Sequence, residues 1–425
     1  MIHRGLILGK KRKKASIISI GTEIIKGKIT DFNSFWISKY LSKFGIDVKF
    51  HISVSDNIQN IAEAFNTVKN CDIVITTGGL GPTEDDNTKQ AMAEFLNKNL
   101  FFDTNIWRNI NKRYFKGRKE IPESNKKQAM NIKGGISIKN ERGTAPGLYY
   151  NNKNTHYFLL PGPPRENRPM IENFFSETLK KNELIGNKEY EKKLRIYGVG
   201  ESTLADILEG LETDCEIGYY FKEKAWLELD ISNKESDWEA SKKKVKETEE
   251  KIMKILNKKN IFYTGDVELN EKVFSYLKNL NKSISFAETI CGGKLGSKLI
   301  EIPGASKIFK GSVVAYSDRI KIDFMGVSEK LIKKHGAVSN EVAQKMAEQA
   351  RKLFGSNIGV GVTGIAGPSG GSKDKPVGLV HFTISVDNKC YNFQKNFIGD
   401  RKRIVYKVIN SVFVELIKVL KKTFY

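Results

Sequence analysis

Apolar residues in the first hundred positions follow two alternating spacings. Runs typical of buried strands lie at 17–20, 48–54 and 72–77. Stretches with helical spacing predict helices at 31–44, 58–69 and 88–96. Strands that alternate with helices in this way predict a parallel sheet covered by helices on both faces, and such sheets bind ligands beyond the carboxyl ends of their strands.

The pattern changes twice further along the chain. Residues 181–265 predict a small α+β module, because an alternating strand at 225–231 precedes a charged helix at 237–256. A third α/β unit follows and ends in an amphipathic helix at 403–421. We therefore expect a basic tail at 1–14, a parallel-sheet domain at 15–180, the α+β module at 181–265 and a C-terminal domain at 266–425.

Composition narrows the class of protein. Of 425 residues, 40% are hydrophobic and 28% charged, which fits folded domains rather than a disordered chain. The pattern contains neither an apolar run of about 18 residues nor a signal-peptide core, so we expect a cytoplasmic protein rather than a membrane protein. The four cysteines form no CxxC pair, and neither a disulfide framework nor a thiolate zinc site is indicated.

The net charge of +22 comes from 71 Lys and Arg against 49 Asp and Glu. The lysines are spread along the whole chain without interleaved aromatic residues, so a solvated lysine-rich surface is the favoured interpretation and a nucleic-acid partner is not expected. A polyanionic partner stays open as the alternative.

A first group of candidate residues lies between a predicted strand and a predicted helix, at 76–88. The residues that could hold a phosphate there are Gly78, Gly79, Gly81 and Thr83. Glycines allow a close approach of backbone amides, and the helix N-terminus adds positive potential. Asp85 and Asp86 are candidate metal ligands or general bases, although acidic residues also cap helices for structural reasons alone.

A second group begins after the predicted strand at 283–286. Thr289 offers a hydroxyl at the sheet edge, with the amides of Gly292 and Gly293 near it. Gly304, Ala305 and Ser306 place another hydroxyl at a predicted turn. Tyr316 and Lys321 follow, and a lysine kept neutral by burial or by a neighbouring cation can act as the base for a hydroxyl nucleophile.

A glycine-rich loop and an arginine complete this group. The loop contains Gly364, Gly367 and Gly370, and Arg401 offers a planar fork for a phosphate or carboxylate. Each of these residues alone also fits a simple turn or a surface side chain, so none of them by itself indicates a catalytic or binding site.

Taken together, the residues closely resemble the CinA family (competence/damage-inducible protein A) over about 15–425. The motifs in the first domain are Gly21-Thr22-Glu23, Gly27 through Asp31-Phe32-Asn33, Thr77 to Thr88, Gly143-Thr144-Ala145-Pro146-Gly147 and Leu160-Pro161-Gly162-Pro163-Pro164-Arg165-Glu166. That domain resembles the molybdopterin-binding fold of the MoaB and MogA type. In CinA proteins it is associated with metal-dependent hydrolysis of ADP-ribose, so the resemblance implies a divalent metal there.

The resemblance extends to the other two regions. The middle module resembles the family's KH-type domain but lacks a G-x-x-G loop, so RNA binding does not follow. The C-terminal domain is similar to nicotinamide-mononucleotide deamidases, which release ammonia from nicotinamide mononucleotide without a cofactor. The resemblance implies catalytic roles for Ser306, Tyr316 and Lys321 and substrate binding by Arg401. It also implies a homodimer.

One departure from the family pattern affects the expected chemistry. The family usually has Ala-Glu-Ser-Cys-Thr-Gly-Gly where this chain has Ala-Glu-Thr-Ile-Cys-Gly-Gly, with Thr289 replacing the serine. Thr289 could be a slower nucleophile, could relay a proton while Ser306 attacks, or could mark a weakened amidase; we favour the relay. Cys291 as a substitute nucleophile is the least favoured interpretation.

Two rival functions remain at this point. The first is a pterin or molybdenum-cofactor enzyme, because the N-terminal fold is shared with that chemistry. The second is a non-enzymatic protein linked to competence or DNA damage, for which the basic charge is the sole sequence support. The favoured prediction is a nicotinamide-nucleotide amidase with an additional ADP-ribose pyrophosphatase domain.

Overall fold

A computed structural model describes residues 13–114, 121–186, 189–235 and 238–424. The chain forms two compact units, one of residues 1–190 with 234–241 and the other of residues 191–233 with 242–425. Most of the predicted basic tail, residues 1–12, lies outside the described residues. Its last two residues belong to a strand, because the first strand begins at Lys13 and not at Ala15.

The first unit combines strands and helices in the predicted order. Its strands are β1 Lys13–Ile20, β2 Ile46–Val54, β3 Ile73–Thr77, β4 Leu100–Phe102, β5 Met130–Ile132, β6 Ile136–Ile138, β7 Gly147–Asn152 and β8 Thr155–Leu160. Its helices are α1 Thr22–Ile25, α2 Phe32–Ser42, α3 Ile58–Val68, α4 Thr88–Phe95, α5 Thr104–Tyr114, α6 Pro164–Met170 and α7 Ser176–Lys181, with short helical turns at Glu123–Ala129 and Ile171–Phe175. The strands and helices predicted in the first hundred residues are all present.

The main sheet of this unit has the order β2-β1-β3-β8-β7-β6. The first four strands are parallel, as predicted, whereas β7 and β6 run antiparallel to their neighbours. The reason is the two-residue turn between Asn152 and Thr155, which permits only an antiparallel pairing, since parallel neighbours need a long crossover.

Both faces of this sheet are buried, which explains the continuous apolar strands. Ile18 packs on one side with Phe65 of α3 and Met92 of α4, whereas its neighbour Ile17 packs on the other side with Leu41 of α2. Successive side chains of a strand point to opposite faces, so adjacent isoleucines serve two cores.

The second unit contains two sheets. Its strands are β9 Tyr190–Tyr197, β10 Glu216–Lys222, β11 Trp226–Asn233, β12 Phe262–Thr264, β13 Ile284–Glu288, β14 Phe309–Val314, β15 Ile358–Gly364, β16 Leu379–Val386 and β17 Lys389–Asn396. Its helices are α8 Glu201–Leu208, α9 Trp238–Lys258, α10 Leu269–Asn279, α11 Lys294–Ile300, α12 Asp318–Asp323, α13 Glu329–His335, α14 Asn340–Phe354 and α15 Arg401–Phe424, with a short turn at Ala305–Lys307. The middle module is the sheet β10-β11-β9-β12 with α8 and α9, of which Tyr190 and the residues of α9 before Lys242 are counted with the first unit.

The C-terminal sheet has the order β14-β13-β15-β16-β17, so β14 and β17 are its edges. Strands β14, β13 and β15 are parallel, and β16 and β17 continue antiparallel. Residues of α10, α11 and α15 form the core on one face, and residues of α14 with Met325 and Val327 form it on the other. Among the described residues, none of the helices has the length and apolar character needed to cross a membrane.

Candidate functional site

The carboxyl ends of β13, β14 and β15 bring part of the second residue group together. Glu288 at the end of β13 pairs with Val314 of β14 and Val362 of β15. The residues that directly follow or end these strands, Thr289, Ala315 and Gly364, therefore share one sheet edge, where α/β sheets bind ligands.

Thr289 and Lys321 each donate to one of two adjacent carbonyl groups at this edge. The hydroxyl of Thr289 donates to the carbonyl of Ala315 at 3.0 Å, and Nζ of Lys321 donates to the carbonyl of Tyr316 at 3.3 Å. Lys321 is only 2% exposed, although it lies on the short helix α12. A hydroxyl and a buried amine are thus held at the same strand end.

The surroundings of Lys321 differ from the expectation in two ways. Of the two expected alternatives, burial or a neighbouring cation, the structure shows burial, and Nζ lies 3.2 Å from a carboxylate oxygen of Asp318, an ion pair that was not expected. Tyr316 contacts it through its backbone carbonyl, while the phenol side chain is 66% exposed. The spacing of Asp318 and Lys321, three residues apart on a helix, was the available signal for this pair.

Ser306 lies at the opposite end of the same strands. It precedes β14 by three residues, and the carbonyl of Ile308 accepts from the amide of Ile284, where β13 starts. Thr289 instead follows the end of β13, so about five strand residues, roughly 16 Å, separate the two positions. The favoured relay between Thr289 and Ser306 is therefore wrong, and Gly304 and Ala305 lie away from the site for the same reason.

The acidic residue before Thr289 was missed by the sequence analysis. Glu288 is fully buried and accepts hydrogen bonds from the amides of Leu295 and Gly296 and from the hydroxyl of Ser312. Glu288 thus holds the first turn of α11, and the amides of Leu295 and Gly296 have a structural role. The turn Gly292–Gly293 lies next to Thr289. Burial and the nearby Glu288 raise the pKa of the Cys291 thiol well above its usual range, so it stays protonated and unreactive.

Arg401 and the glycine-rich loop are in direct contact. A guanidinium nitrogen of Arg401 donates to the carbonyl of Gly367 at 2.8 Å. The loop starts at Gly364, where an added Cβ would lie 3.1 Å from Ile290, and contains Gly370 further on. Since a guanidinium carries five N–H donors, the contact with Gly367 leaves most of the fork for an anion.

The first residue group forms a loop between β3 and α4. Gly78 has φ of 105°, and an added Cβ would lie 2.1 Å from the carbonyl oxygen of Ile20, so this position requires glycine. The hydroxyl of Thr88 donates to the carbonyl of Gly78 at 2.9 Å and fixes the loop to the helix. Gly79, Gly81 and Thr83 line a cavity of about 630 Å³ on this side of the unit.

Asp85 and Asp86 both accept a hydrogen bond from the hydroxyl of Thr83. That bond lowers the pKa of Asp85, so its carboxylate stays ionised. The N-cap of α4 is Asn87, so Asp85 and Asp86 do not have the purely helix-capping role that was the alternative. Both carboxylates line the cavity instead.

Two converging carboxylates fit the mode in which Mg²⁺ binds together with substrate phosphates. Within the described ranges, however, the side chains of His, Cys, Asp and Glu form no group of three that could enclose a metal ion by themselves. The site therefore fits a metal that arrives with a phosphate ligand and not an all-protein metal cage.

Further residues of this cavity were not predicted. Asp56 accepts from both the amide and the hydroxyl of Thr22 at 2.8 Å, and Gln128 lines the cavity while only 2% exposed. Lys89 is buried below the loop and donates to the carbonyls of Gln128 and Met130, and burial lowers its pKa to about 8. None of these three residues lies in a glycine-rich or acidic motif, so the sequence offered no signal for them.

Three family models match consecutive regions of the chain. A model described as a probable molybdopterin binding domain matches residues 16–181, one described as the damage-inducible protein CinA KH domain matches 191–262, and one described as the CinA C-terminal domain matches 266–420. The N-terminal domain is thus molybdopterin-binding-like, and the middle module is of the KH type.

Full-length relatives cover the same span. A putative competence-damage inducible protein of Clostridium acetobutylicum is 37% identical over 94% of this chain and 97% of its own, and that of Caldicellulosiruptor saccharolyticus is 39% identical over 92% and 95%. A solved CinA structure from Thermoplasma acidophilum is 31% identical and covers 39% of this chain and 98% of its own, with a TM-score of 0.38. The matched relatives show that the chain belongs to the CinA family of competence/damage-inducible proteins.

Proposed function

We propose that the C-terminal domain hydrolyses the carboxamide of nicotinamide mononucleotide to nicotinate mononucleotide and ammonia. The observation that carries the proposal is the buried amine of Lys321 at the strand end where the Thr289 hydroxyl is held. Arg401, bound to the glycine-rich loop, supports it as a group that would hold the phosphate.

The proposed chemistry uses one hydroxyl. Oxygen of Thr289 attacks the carboxamide carbon and passes its proton to Lys321 as the lysine gives one of its own protons to the leaving nitrogen, so the C–N bond breaks and ammonia departs. Water then cleaves the resulting ester, which restores the hydroxyl and releases the carboxylate. Asp318 positions the lysine. The amide of Gly293 would donate to the oxyanion, since the amide of Gly292 already donates to the carbonyl of Thr289.

Ammonia release from nicotinamide mononucleotide by the full chain tests the proposal. We expect Lys321→Ala to lower kcat by at least about a hundredfold, because the proton transfer is lost. Ser306→Ala is the matched control, since it removes an exposed hydroxyl at the opposite sheet edge and should change kcat less than about twofold. An inactive wild-type chain, or full activity of Lys321→Ala, contradicts the proposal.

We also propose that the N-terminal domain hydrolyses the pyrophosphate bond of ADP-ribose. The 630 Å³ cavity with a glycine-rich rim and two carboxylates is the observation in its favour. Asp85 and Asp86 would hold a divalent metal against the substrate phosphates, and the metal would stabilise charge that develops on the oxygens.

Release of AMP from ADP-ribose, measured with Mg²⁺ and with EDTA, tests this second activity. We expect the double variant Asp85→Asn with Asp86→Asn to lose at least about a hundredfold in rate. Glu84→Gln is the control, because this neighbouring acid lies outside the cavity lining and should keep the wild-type rate. Metal-independent activity, or equal loss in the control, contradicts the proposed role of the two aspartates.

A further inference from the structure

A second large cavity lies within the second unit, between the KH-type module and helix α15. Its volume is about 610 Å³, within the range of sites for small molecules. Gly198, Val199 and Gly200 line it from the module, and Asn410 of α15 donates to the carbonyls of Lys224 and Ala225, which fixes the β10–β11 turn to the helix. We call this cavity the module groove; it contains none of the candidate amidase residues.

The charge of the module groove is one-sided. Among the described residues that line it, one is acidic, Glu415, and five are basic: Lys259, Lys395, Arg403, Lys407 and Lys418. Glu415 already has two of these lysines as ion-pair partners, Lys395 at 3.7 Å and Lys418 at 3.3 Å. The remaining cations have no acidic residue in the lining, so the groove attracts anions.

Helix α15 carries three of these cations. Arg403, Lys407 and Lys418 lie on one face, with the intervals of four and eleven residues that match whole helical turns. Arg403 and Lys407 are about 6 Å apart along the helix, whereas Lys418 lies about 17 Å further on, beside Glu415. Two neighbouring negative charges of one ligand would match the pair of Arg403 and Lys407.

Aromatic rings line the same groove. Phe221 is 40% exposed, and the guanidinium of Arg403 lies 4.6 Å from its ring centre. Phe262 and Phe397 are half-buried beside it. A planar ring can stack on Phe221 or on the guanidinium, as bases stack on aromatic side chains in nucleic-acid complexes.

The module side offers backbone donors. Gly200 is the N-cap of the eight-residue helix α8, and as a glycine it supplies no capping side chain for the first amides. An added Cβ on Gly198 would meet no atom within 4 Å, so the loop is open towards the groove. Together with the cations and the rings, this is the chemistry that binds phosphate and base at the same time.

We propose that the module groove binds a free nucleotide with two or more phosphate charges. Its phosphates would contact the cations of α15 with Lys259, and its base would lie against Phe221. A mononucleotide-sized volume favours a small ligand over an oligonucleotide, which tracks along an extended surface.

Calorimetric titration of the full chain with ADP tests this site. We expect Lys259→Glu to weaken ADP binding about tenfold and Phe221→Ala to weaken it about fivefold. Lys258→Glu is the matched control, because this adjacent exposed lysine does not line the groove and should change Kd less than twofold. A second ADP site in the N-terminal cavity is separable, since Lys259→Glu leaves it unchanged.

Two results would overturn the proposal. One is an ADP affinity that neither Lys259→Glu nor Phe221→Ala changes relative to Lys258→Glu. The other is an oligothymidylate of twelve nucleotides that binds more than tenfold tighter than ADP and whose binding is weakened by Lys259→Glu. That result would assign the groove to single-stranded nucleic acid. Neither outcome bears on ammonia release, so this test is independent of the proposed amidase.

Discussion

Thr289 differs from the serine of the family pattern by one methyl group. That methyl restricts rotation of the side chain and crowds the approach of a substrate carbon to the oxygen. We therefore expect Thr289→Ser to raise kcat for ammonia release by about tenfold, which corresponds to about 1.4 kcal/mol in the barrier. We expect Thr289→Val, which keeps the shape and removes the hydroxyl, to lower kcat at least about a hundredfold.

Circular dichroism and melting temperature of both variants serve as the control for folding. A Thr289→Ser chain that is slower than wild type would argue that the hydroxyl does not attack. Wild-type activity of Thr289→Val would exclude Thr289 from the reaction altogether.

The motifs predicted which residues could form this site, and the structure brings only some of them together. Thr289 follows the predicted strand at 283–286, so its place at a sheet edge could be predicted. The strands that end before Lys321 and at Gly364 were not predicted, so the shared edge was not either. Ser306 was misplaced because the turn before β14 looks like the turn after β13 in the sequence. In a pair of parallel strands, a residue that precedes one strand and a residue that follows its neighbour lie at opposite edges of the sheet.

Strand β15 approaches helix α14 unusually closely through a glycine. A Cβ added to Gly361 would lie 2.2 Å from the carbonyl oxygen of Ala343 and 2.5 Å from the amide nitrogen of Ala347. Since both atoms belong to the helix backbone, they cannot rotate away, and we expect Gly361→Ala to reduce the free energy of unfolding by about 3 kcal/mol.

Urea unfolding measures this effect. Gly265→Ala is the control, because its added Cβ meets no atom within 4 Å and should change stability by less than about 0.5 kcal/mol. Equal stability of the two variants would mean that the helix and the strand can separate without cost.

Periodicity predicted three strands and three helices in the first hundred residues and the parallel part of their sheet, but not the antiparallel pairings. The patterns at 58–69 and 88–96 match α3 and α4 almost to the residue. The antiparallel β7 and β16 were not predicted, because their direction depends on the connection and not on the pattern within the strand. Gln128 came to line the N-terminal cavity, and Lys89 to lie below it, only through packing between distant segments.

At the scale of the whole molecule, acid is expected to weaken the first unit through one histidine. Burial and the charge of Lys13 lower the pKa of His156 below its ordinary value of 6.5, while Asp72 opposes them. The unfolded chain therefore binds a proton more readily than the folded one, so stability is full above pH 6.5 and decreases as the pH falls through the lowered pKa.

Urea unfolding between pH 7.5 and 5 measures this dependence. We expect His156→Gln to lose less stability on acidification than wild type. His51→Gln removes an exposed histidine of the same unit and should keep the wild-type dependence. An identical pH dependence in all three proteins would contradict the role of His156.

Lysines on the edge strands of the two large sheets account for part of the excess of lysine. An exposed lysine lies within each of three edge strands, Lys49 in β2, Lys310 in β14 and Lys389 in β17, and the fourth edge, β6, is only three residues long. A strand from another molecule that added to these edges would bring ammonium groups into a crowded interface, and a three-residue edge offers too little backbone to recruit one. Part of the basic composition thus guards the protein against aggregation, whatever its ligands are.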